Sequence, residues 1–344
     1  MKNLIGFFVR QPTPPILHAP HARAQRALDT YLKYIPPTEL DGEGDHEDFW
    51  EVAYRVDAIV HSGAPRILLT DETTHTFEVT PDGPVQSETH GEALWGLVND
   101  GWAVYGPYSR YSGGPIFGPP HIHHGDAYFR SPTFLRYAGR RHELCGYALD
   151  EEYEDSRALE DTLDDFRAAG IRHVLLKATQ SKAMRLVPVD LEDDESFKSA
   201  TEELWASFGH RLGLPDNIIV QELIDVRYEY RVFIADGKPV TGAANIVEHT
   251  PLDNEAQFNT KVREHRGITG QPKSDVVDEP ELVQRMVAFA ADVATEFAAE
   301  GMVTYVMDVA LDKNGEPFIV ELNGMSNSGL FASDPTQVVA AVAA

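Results

Sequence analysis

A chain of 344 residues is long enough for two or three lobes, and its 42% apolar and 24% charged content fits a globular protein rather than disorder. A formal net charge of −26 argues against non-specific attachment to nucleic acid or anionic membrane, which need basic stripes, so any local basic cluster becomes informative. No apolar run reaches the roughly 18 residues that span a bilayer, and a single cysteine, Cys145, excludes an internal disulfide framework; a soluble cytoplasmic protein is expected.

Leu4–Val9 reads as a first strand, and Ala22–Tyr34 has apolar residues at helical spacing. Short strands are expected at Ala58–Val60, Ile67–Leu69 and Thr76–Val79, with a helix at Glu92–Asn99. The Gly-, Pro-, Tyr- and His-rich stretch Tyr105–His124 marks a boundary. Lobes are therefore expected at 1–118, 119–214 and 215–344. Leu159, Leu163 and Phe166 form a helical stripe that Gly170 ends, followed by strands Val174–Lys177 and Met184–Val189. A helix carries Phe197, Ala200, Leu204 and Phe208 on one face. Strands Ile218–Ile224 and Tyr228–Ala235 follow, and Asp236-Gly237 turns the chain into Pro239–Val247. A helix from about Glu279 to Glu300 carries the stripe Leu282, Met286, Phe289, Val293 and Phe297, with Asp278…Glu281 as a capping box and Gly301 as the stop. Recognisable turns are hairpins, which favours α+β lobes with antiparallel sheets.

The last hairpin, Val303–Leu311 with Pro317–Asn323, carries the sharpest chemical signal. Taking Asn314-Gly315 as a two-residue turn sets Asp308 opposite Glu321, with Asn323 on the same face as Glu321. That face also holds Val306, Ala310 and Ile319; the core face holds Tyr305, Met307, Val309, Leu311, Phe318, Val320 and Leu322. Carboxylates facing each other across antiparallel strands repel unless a cation takes up the charge. Asp, Glu and Asn supply hard oxygen ligands, which suit magnesium shared with phosphates. The bland alternative is a solvated acidic face; Asn323 and the surrounding apolar strands weigh against it.

Four segments in order now resemble the ATP-grasp superfamily: Val-Leu-Leu-Lys177-Ala-Thr-Gln-Ser-Lys182, Ile-Ile-Val-Gln221-Glu222-Leu223-Ile224, Glu229-Tyr-Arg231-Val-Phe, and Met307-Asp308-Val…Val320-Glu321-Leu-Asn323. The resemblance spans about residues 125–335. It implies an α+β ATP-grasp fold, in which two antiparallel α+β subdomains clamp ATP, preceded here by an N-terminal α/β lobe. It also implies phosphate contacts from Lys177 and Lys182, adenine held at Gln221, Glu222, Leu223 and Ile224, and Mg2+ at Asp308, Glu321 and Asn323. Arg231 suits a phosphate or carboxylate that it grips with two nitrogens, and the Asp236-Gly237 turn sets it opposite Gly242; the alternative is a surface pair with Glu229. The loop containing Asn327 resembles the family's small polar loop beside the acyl phosphate. The glycines usual near Lys182 are missing, and the family's first nucleotide lysine has no counterpart beyond Arg130, Arg140 or Arg141.

The expected function is a carboxylate–amine ligase that uses ATP and Mg2+, acting on a small-molecule or peptide carboxylate and an amine. A kinase on the same fold and a non-catalytic nucleotide- or partner-binding module are the alternatives. His121, His123 and His124 are weak metal candidates, and Lys261, Arg263 and Arg266 form a basic patch that a solvated face explains as well.

Overall fold

A computed structural model describes residues 1–8, 19–35, 46–71, 75–90, 92–106, 126–129, 131–145, 159–178, 187–196, 198–200, 202, 218–254, 256–266, 271–272, 274–325 and 328–344. The first lobe comprises β1 (Leu4–Phe7), α1 (Ala22–Tyr34), α2 (His46–Val60), β2 (Ile67–Thr70), β3 (Thr76–Thr80), β4 (Gly83–Ser87), α3 (Glu92–Asn99) and β5 (Ala103–Tyr105). Its sheet runs β4-β3-β2-β1-β5, with β1 parallel to both β2 and β5. Strand β1 is buried throughout, as a parallel strand covered on both faces must be. Leu4 and Leu69 face α1 and α2, whereas Ile5, Phe7 and Leu68 face Leu94 of α3. Gly6 permits close approach of α2, since a Cβ there would lie 2.8 Å from Ile59.

The strand expected at Ala58–Val60 is instead the last turn of α2. Phe49, Trp50, Ala53, Val56 and Ile59 recur at helical spacing and are buried, which outweighs the β-branched character of the segment's end. Strands β4 and β5 were not expected.

The second sheet is built from β6 (His142–Cys145), β7 (His173–Ala178), β8 (Val187–Asp190) and β9 (Ile218–Glu222) in the antiparallel order β6-β9-β7-β8. It therefore takes in chain beyond the expected boundary at 214. Helices α4 (Asp126–Phe129), α5 (Pro132–Tyr137) and α6 (Leu159–Ala168) belong to this part of the chain. Leu159, Leu163 and Phe166 pack on Val174, Leu176 and Val220, and Gly170 ends the run with φ +78°. Most of the helix expected around Phe197–Phe208 lies outside the described residues.

The third sheet has the order β11-β10-β16-β17: β10 (Glu229–Ala235), β11 (Lys238–Ala244), β16 (Tyr305–Leu311) and β17 (Pro317–Asn323), all antiparallel. Between β11 and β16 come four two-residue strands, β12 (Lys261–Val262), β13 (His265–Arg266), β14 (Gln271–Pro272) and β15 (Val277–Asp278), and then α7 (Pro280–Ala299). Helix α8 (Pro335–Ala343) closes the chain. Helix α7 buries Val283, Met286, Ala290, Val293 and Phe297, with Leu282 and Phe289 at the margins of that face. The expected Asp278…Glu281 box does not form: Glu279 is the N-cap, without a side-chain bond, and Pro280 opens the helix.

Tyr230, Val232, Tyr305 and Met307 face α7 from one side of the third sheet. On the other side, Phe233, Ala235 and Val306 share a core with Leu4, Trp50, Tyr54, Val338 and Val339. The first lobe thus covers one end of this face, and the polar residues described next occupy the rest. Among the described residues, no helix is long and apolar enough to cross a membrane.

Candidate active site

The β16–β17 hairpin does not turn on two residues. Asp312 N–H donates to Glu316 O at 2.9 Å and Gly315 N–H to Asp312 O at 3.0 Å, and only Gly315 has positive φ, +83°. The loop is Lys313–Gly315, and the Asp312 carboxylate accepts from the backbone N–H of Asn314 and of Glu316, each at 2.8 Å. Pairing then runs Leu311↔Pro317, Ala310↔Phe318 and Val309↔Ile319 until a bulge at Val320 restores Asp308↔Glu321 and Val306↔Asn323. The longer turn and the bulge offset each other, so Asp308 and Glu321 are opposite as expected, by a different route. Between turn and bulge the faces exchange: Ile319 packs into the α7 core, and Phe318 lies on the Asp308 side.

Arg231 on β10 sits opposite Asp308. Its Nε donates to Oδ1 at 2.8 Å, its Nη2 to Oδ2 at 2.7 Å, and its Nη1 to Gly329 O at 3.1 Å. The expected neighbour on β11 is corrected: an irregularity near Val240 places Ala243 opposite Arg231, and Gly242 opposite Val232. Gly242 is needed there for Tyr230, whose ring would lie 2.7 Å from an added Cβ. Nor is Arg231 held by a surface pair with Glu229; its partner is Asp308.

Asn323 Nδ2 donates to Asp308 Oδ2 at 3.2 Å and to Glu321 Oε1 at 2.9 Å, so one nitrogen lies between the two carboxylates. Lys177, on β7, reaches across from the second sheet and donates to Glu321 Oε2 at 3.1 Å, with its Nζ 5.3 Å from the centre of the Phe129 ring. Arg140 stacks over Phe318 and donates to Val320 O at 2.9 Å. It enters this face from a turn in which Gly139 has φ +64°, where a Cβ would lie 2.8 Å from Phe318. Asp308 is 1% exposed and Glu321 33%, so Glu321 is the carboxylate that a ligand reaches first.

Burial pushes the Glu321 carboxyl upward, but Lys177, Asn323 and Arg231 outweigh it and bring it down to about 2. Burial also dominates at Asp308 and raises it, with Arg231 pulling back and Glu321 adding to the rise. Glu229 shares the Arg231 face of β10; burial, then the charges of Asp308 and Glu321, lift it to about 7. Arg231 loses hydration on burial, yet Asp308 keeps its affinity for the proton above the ordinary value. Arg140 is lowered by burial, against the pull of Glu321.

Among the described residues, no group of three His, Cys, Asp or Glu side chains converges to hold a metal. The donor set is two carboxylates and one amide. It fits magnesium held partly by protein and partly by phosphate, because such an ion would take over the positive charge that Asn323 now directs at Asp308 Oδ2 and Glu321 Oε1 and Lys177 at Glu321 Oε2.

The expected adenine edge is partly engaged by the protein itself. Glu222 N–H donates to Arg141 O at 2.7 Å, Leu223 N–H to His173 O at 3.0 Å, and Glu222 Oε2 accepts from Arg141 N–H at 3.3 Å. Gln221 is buried, its Oε1 without a partner among the described residues, and Ile224 is half-buried. Lys182, Asn327, His121, His123, His124 and Arg130 lie outside the described residues. Arg141 pairs with Glu143 and Arg263 with Glu248, so these members of the basic sets are committed to structural ion pairs. Glu51, which the sequence reading missed, also borders this region. It lies on α2, where the strand expected at its end obscures the helical spacing.

The ATP-grasp domain, R2K clade family 2, matches residues 196–341, a stretch that contains Arg231, the carboxylate hairpin and α7. No curated protein matches the chain. Among solved structures, a D-alanine–D-alanine ligase from Coxiella burnetii is 11% identical, with TM-score 0.45, over 99% of this chain and 95% of that one. D-alanyl-alanine synthetase A from Vibrio cholerae is 10% identical, with TM-score 0.48, over 99% and 97%. A RimK domain protein ATP-grasp from Sphaerobacter thermophilus is 13% identical, with TM-score 0.48, over 85% and 94%. Residues 196–341 of this α+β chain, which include the antiparallel sheet with the opposed Asp308 and Glu321, therefore carry the likeness to the ATP-grasp domain.

Proposed function

We propose that this chain is an ATP- and magnesium-dependent ligase that phosphorylates a substrate carboxylate and directs an amine onto the resulting acyl phosphate. The observation that carries the reading is the opposed pair Asp308 and Glu321, flanked by Arg231 and Lys177. Asp308, Glu321 and Asn323 would hold magnesium, which when bound neutralises charge on the nucleotide phosphates. Lys177 is positioned to exchange its bond with Glu321 for one with a phosphate oxygen. Arg231 orients Asp308 through two hydrogen bonds and opposes the rise that burial imposes on its carboxyl, and its Nη1 donates to Gly329 O in the loop where the transferring group is expected. Lys182 and Asn327 are assigned supporting phosphate contacts from the family resemblance alone, and Gln221 to Ile224 the adenine edge. Residues 1–118 act as a substrate-facing lobe, and the protein works in the cytoplasm.

The test is ADP formation from magnesium and ATP across a panel of carboxylates and amines, with Asp308→Asn and Glu321→Gln beside wild type. These substitutions keep the side-chain shapes, so Arg231 is not left beside a void. Each is expected to lower turnover by at least ~100-fold; equal turnover in all three proteins rejects the mechanism. A kinase on the same site differs in retaining the phosphate on its product, so phosphate release that requires the amine distinguishes the ligase.

A further inference from the structure

The loop between β17 and α8 holds an aromatic residue in a backbone conformation that its side chain disfavours. Ser333 N–H donates to Leu330 O at 2.9 Å, closing a turn whose first central residue, Phe331, has φ +48°. Such a position ordinarily takes glycine, asparagine or aspartate, because a bulky side chain crowds the backbone there. Asp236, the other non-glycine residue with positive φ among those described, is of that permitted kind; Phe331 is not. The flanks hold the turn in place: Leu330, Ala332 and Ser333 are buried, and Ala332 O accepts from Asn254 Nδ2 at 2.6 Å. The Phe331 ring lies in none of the apolar cores formed by the described residues. It covers Arg231 instead, with the guanidinium carbon 5.0 Å from the ring centre.

We propose that Phe331 is a positioning residue, held in a strained backbone conformation so that its ring fixes the plane of the Arg231 guanidinium. The inference rests on the ligase reading for what that plane is used for, and on the stacking alone for how it is held. An arginine has five N–H donors. Nε and one N–H of Nη2 go to Asp308, and one N–H of Nη1 goes to Gly329 O. One N–H on Nη1 and one on Nη2 remain outside the bonds among the described residues. Hydrogen bonds thus fix the edges of the group, and the ring restrains it from one face, where a cation only 12% exposed is held more firmly than in water. The two remaining donors are presented to a phosphoryl or carboxylate oxygen without rearrangement of the side chain. A merely structural Phe331 would affect stability and leave Arg231 unaltered.

The experiment uses NMR of the full chain carrying isotope-labelled arginine, with Arg231→Lys identifying the Arg231 Nε–H resonance. Phe331→Leu keeps the backbone strain and removes the ring, Phe331→Gly removes both, and Phe331→Tyr keeps both. In the first two, the Nε–H resonance is expected to move downfield as ring shielding is lost, and rotation about the Arg231 Nε–Cζ bond to quicken by ~10-fold. The kcat of ADP formation with magnesium and ATP is expected to fall by ~10-fold in the same two variants, with KM for ATP little changed, and Phe331→Tyr to restore both readouts. Phe331→Gly is expected to melt no lower than Phe331→Leu although it removes more side chain, because it relieves the turn; a lower melting temperature overturns the part given to strain. Unchanged Arg231 resonance and rotation in Phe331→Leu and Phe331→Gly overturn the inference whatever the activity, and so does an unchanged kcat beside altered resonances. A wild type that forms no ADP, while its Arg231 resonance responds to Phe331 substitution, overturns the ligase reading and retains the positioning of Arg231.

Discussion

At the scale of single residues, the charges of this site are arranged by burial as much as by pairing. Asp308 and Glu321 occupy one face, yet burial drives Asp308 upward while Lys177 and Asn323 hold Glu321 near 2. His142, on β6, is governed chiefly by burial: Phe129 and Phe134 pack edge-on against its ring, and the loss of hydration, helped by the charges of Arg140 and Lys177, brings it down to about 4 against the pull of Arg140 O and Glu143. Folded His142 stays neutral from about 6.5 down to about 4, while the unfolded chain takes up a proton in that window. Its contribution to stability is therefore complete above pH 6.5 and declines as pH falls toward 4, by about 3 kcal/mol at most. Glu229, lifted to about 7, acts in the opposite direction over an overlapping window, since it is stabilising when protonated and loses that as pH rises. Chemical unfolding of wild type and His142→Leu between pH 4 and pH 7 separates the two. The wild type is expected to lose stability relative to the variant on acidification; parallel curves would show that His142 does not titrate this way.

At the scale of elements, what was legible in the sequence depended on how far each turn could be counted. Asp236-Gly237 is a two-residue turn with positive φ at both positions, as its residues predict. Asn314-Gly315 carries an equally strong signal, but Asp312 captures two backbone amides and converts it into a three-residue loop. The bulge at Val320 then returns Glu321 to its place; neither departure has a signature in residue type, and only their sum is visible as the Asp308–Glu321 pairing. Position 315 alone requires the left-handed conformation. Gly315→Ala is therefore expected to cost about 1 kcal/mol, and Asn314→Ala less than half of that, by denaturant unfolding. Equal costs at both positions would restore the two-residue turn. Helix α2 was hidden for a related reason: the β-branched residues at its end look strand-like in isolation, and only the burial of Phe49, Trp50, Ala53 and Val56 reveals the helical face. That missed helix carries Glu51 and Arg55, so the nearness of Glu51 to Gly329 was not legible until packing placed it.

At the scale of the whole molecule, the second and third sheets meet at the Lys177–Glu321 bond, and the first lobe closes the other side through the core it shares with Phe233 and Val306. The arrangement puts a cation from one sheet on an anion of the next, so a nucleotide with magnesium, on the proposed reading, would take over both partners. Net charge of −26 gives the surface no general attraction for polyanions, so on the proposed reading nucleotide affinity would rest on Lys177, Arg231 and Arg140 and on magnesium held by the carboxylates. The most direct test is calorimetric binding of a non-hydrolysable ATP analogue to wild type and Glu321→Gln, with and without magnesium. Magnesium is expected to tighten binding to wild type by ~10-fold or more and to have little effect on the variant. The same magnesium enhancement in both proteins would contradict the account, because it would mean that the ion is held without the opposed carboxylates.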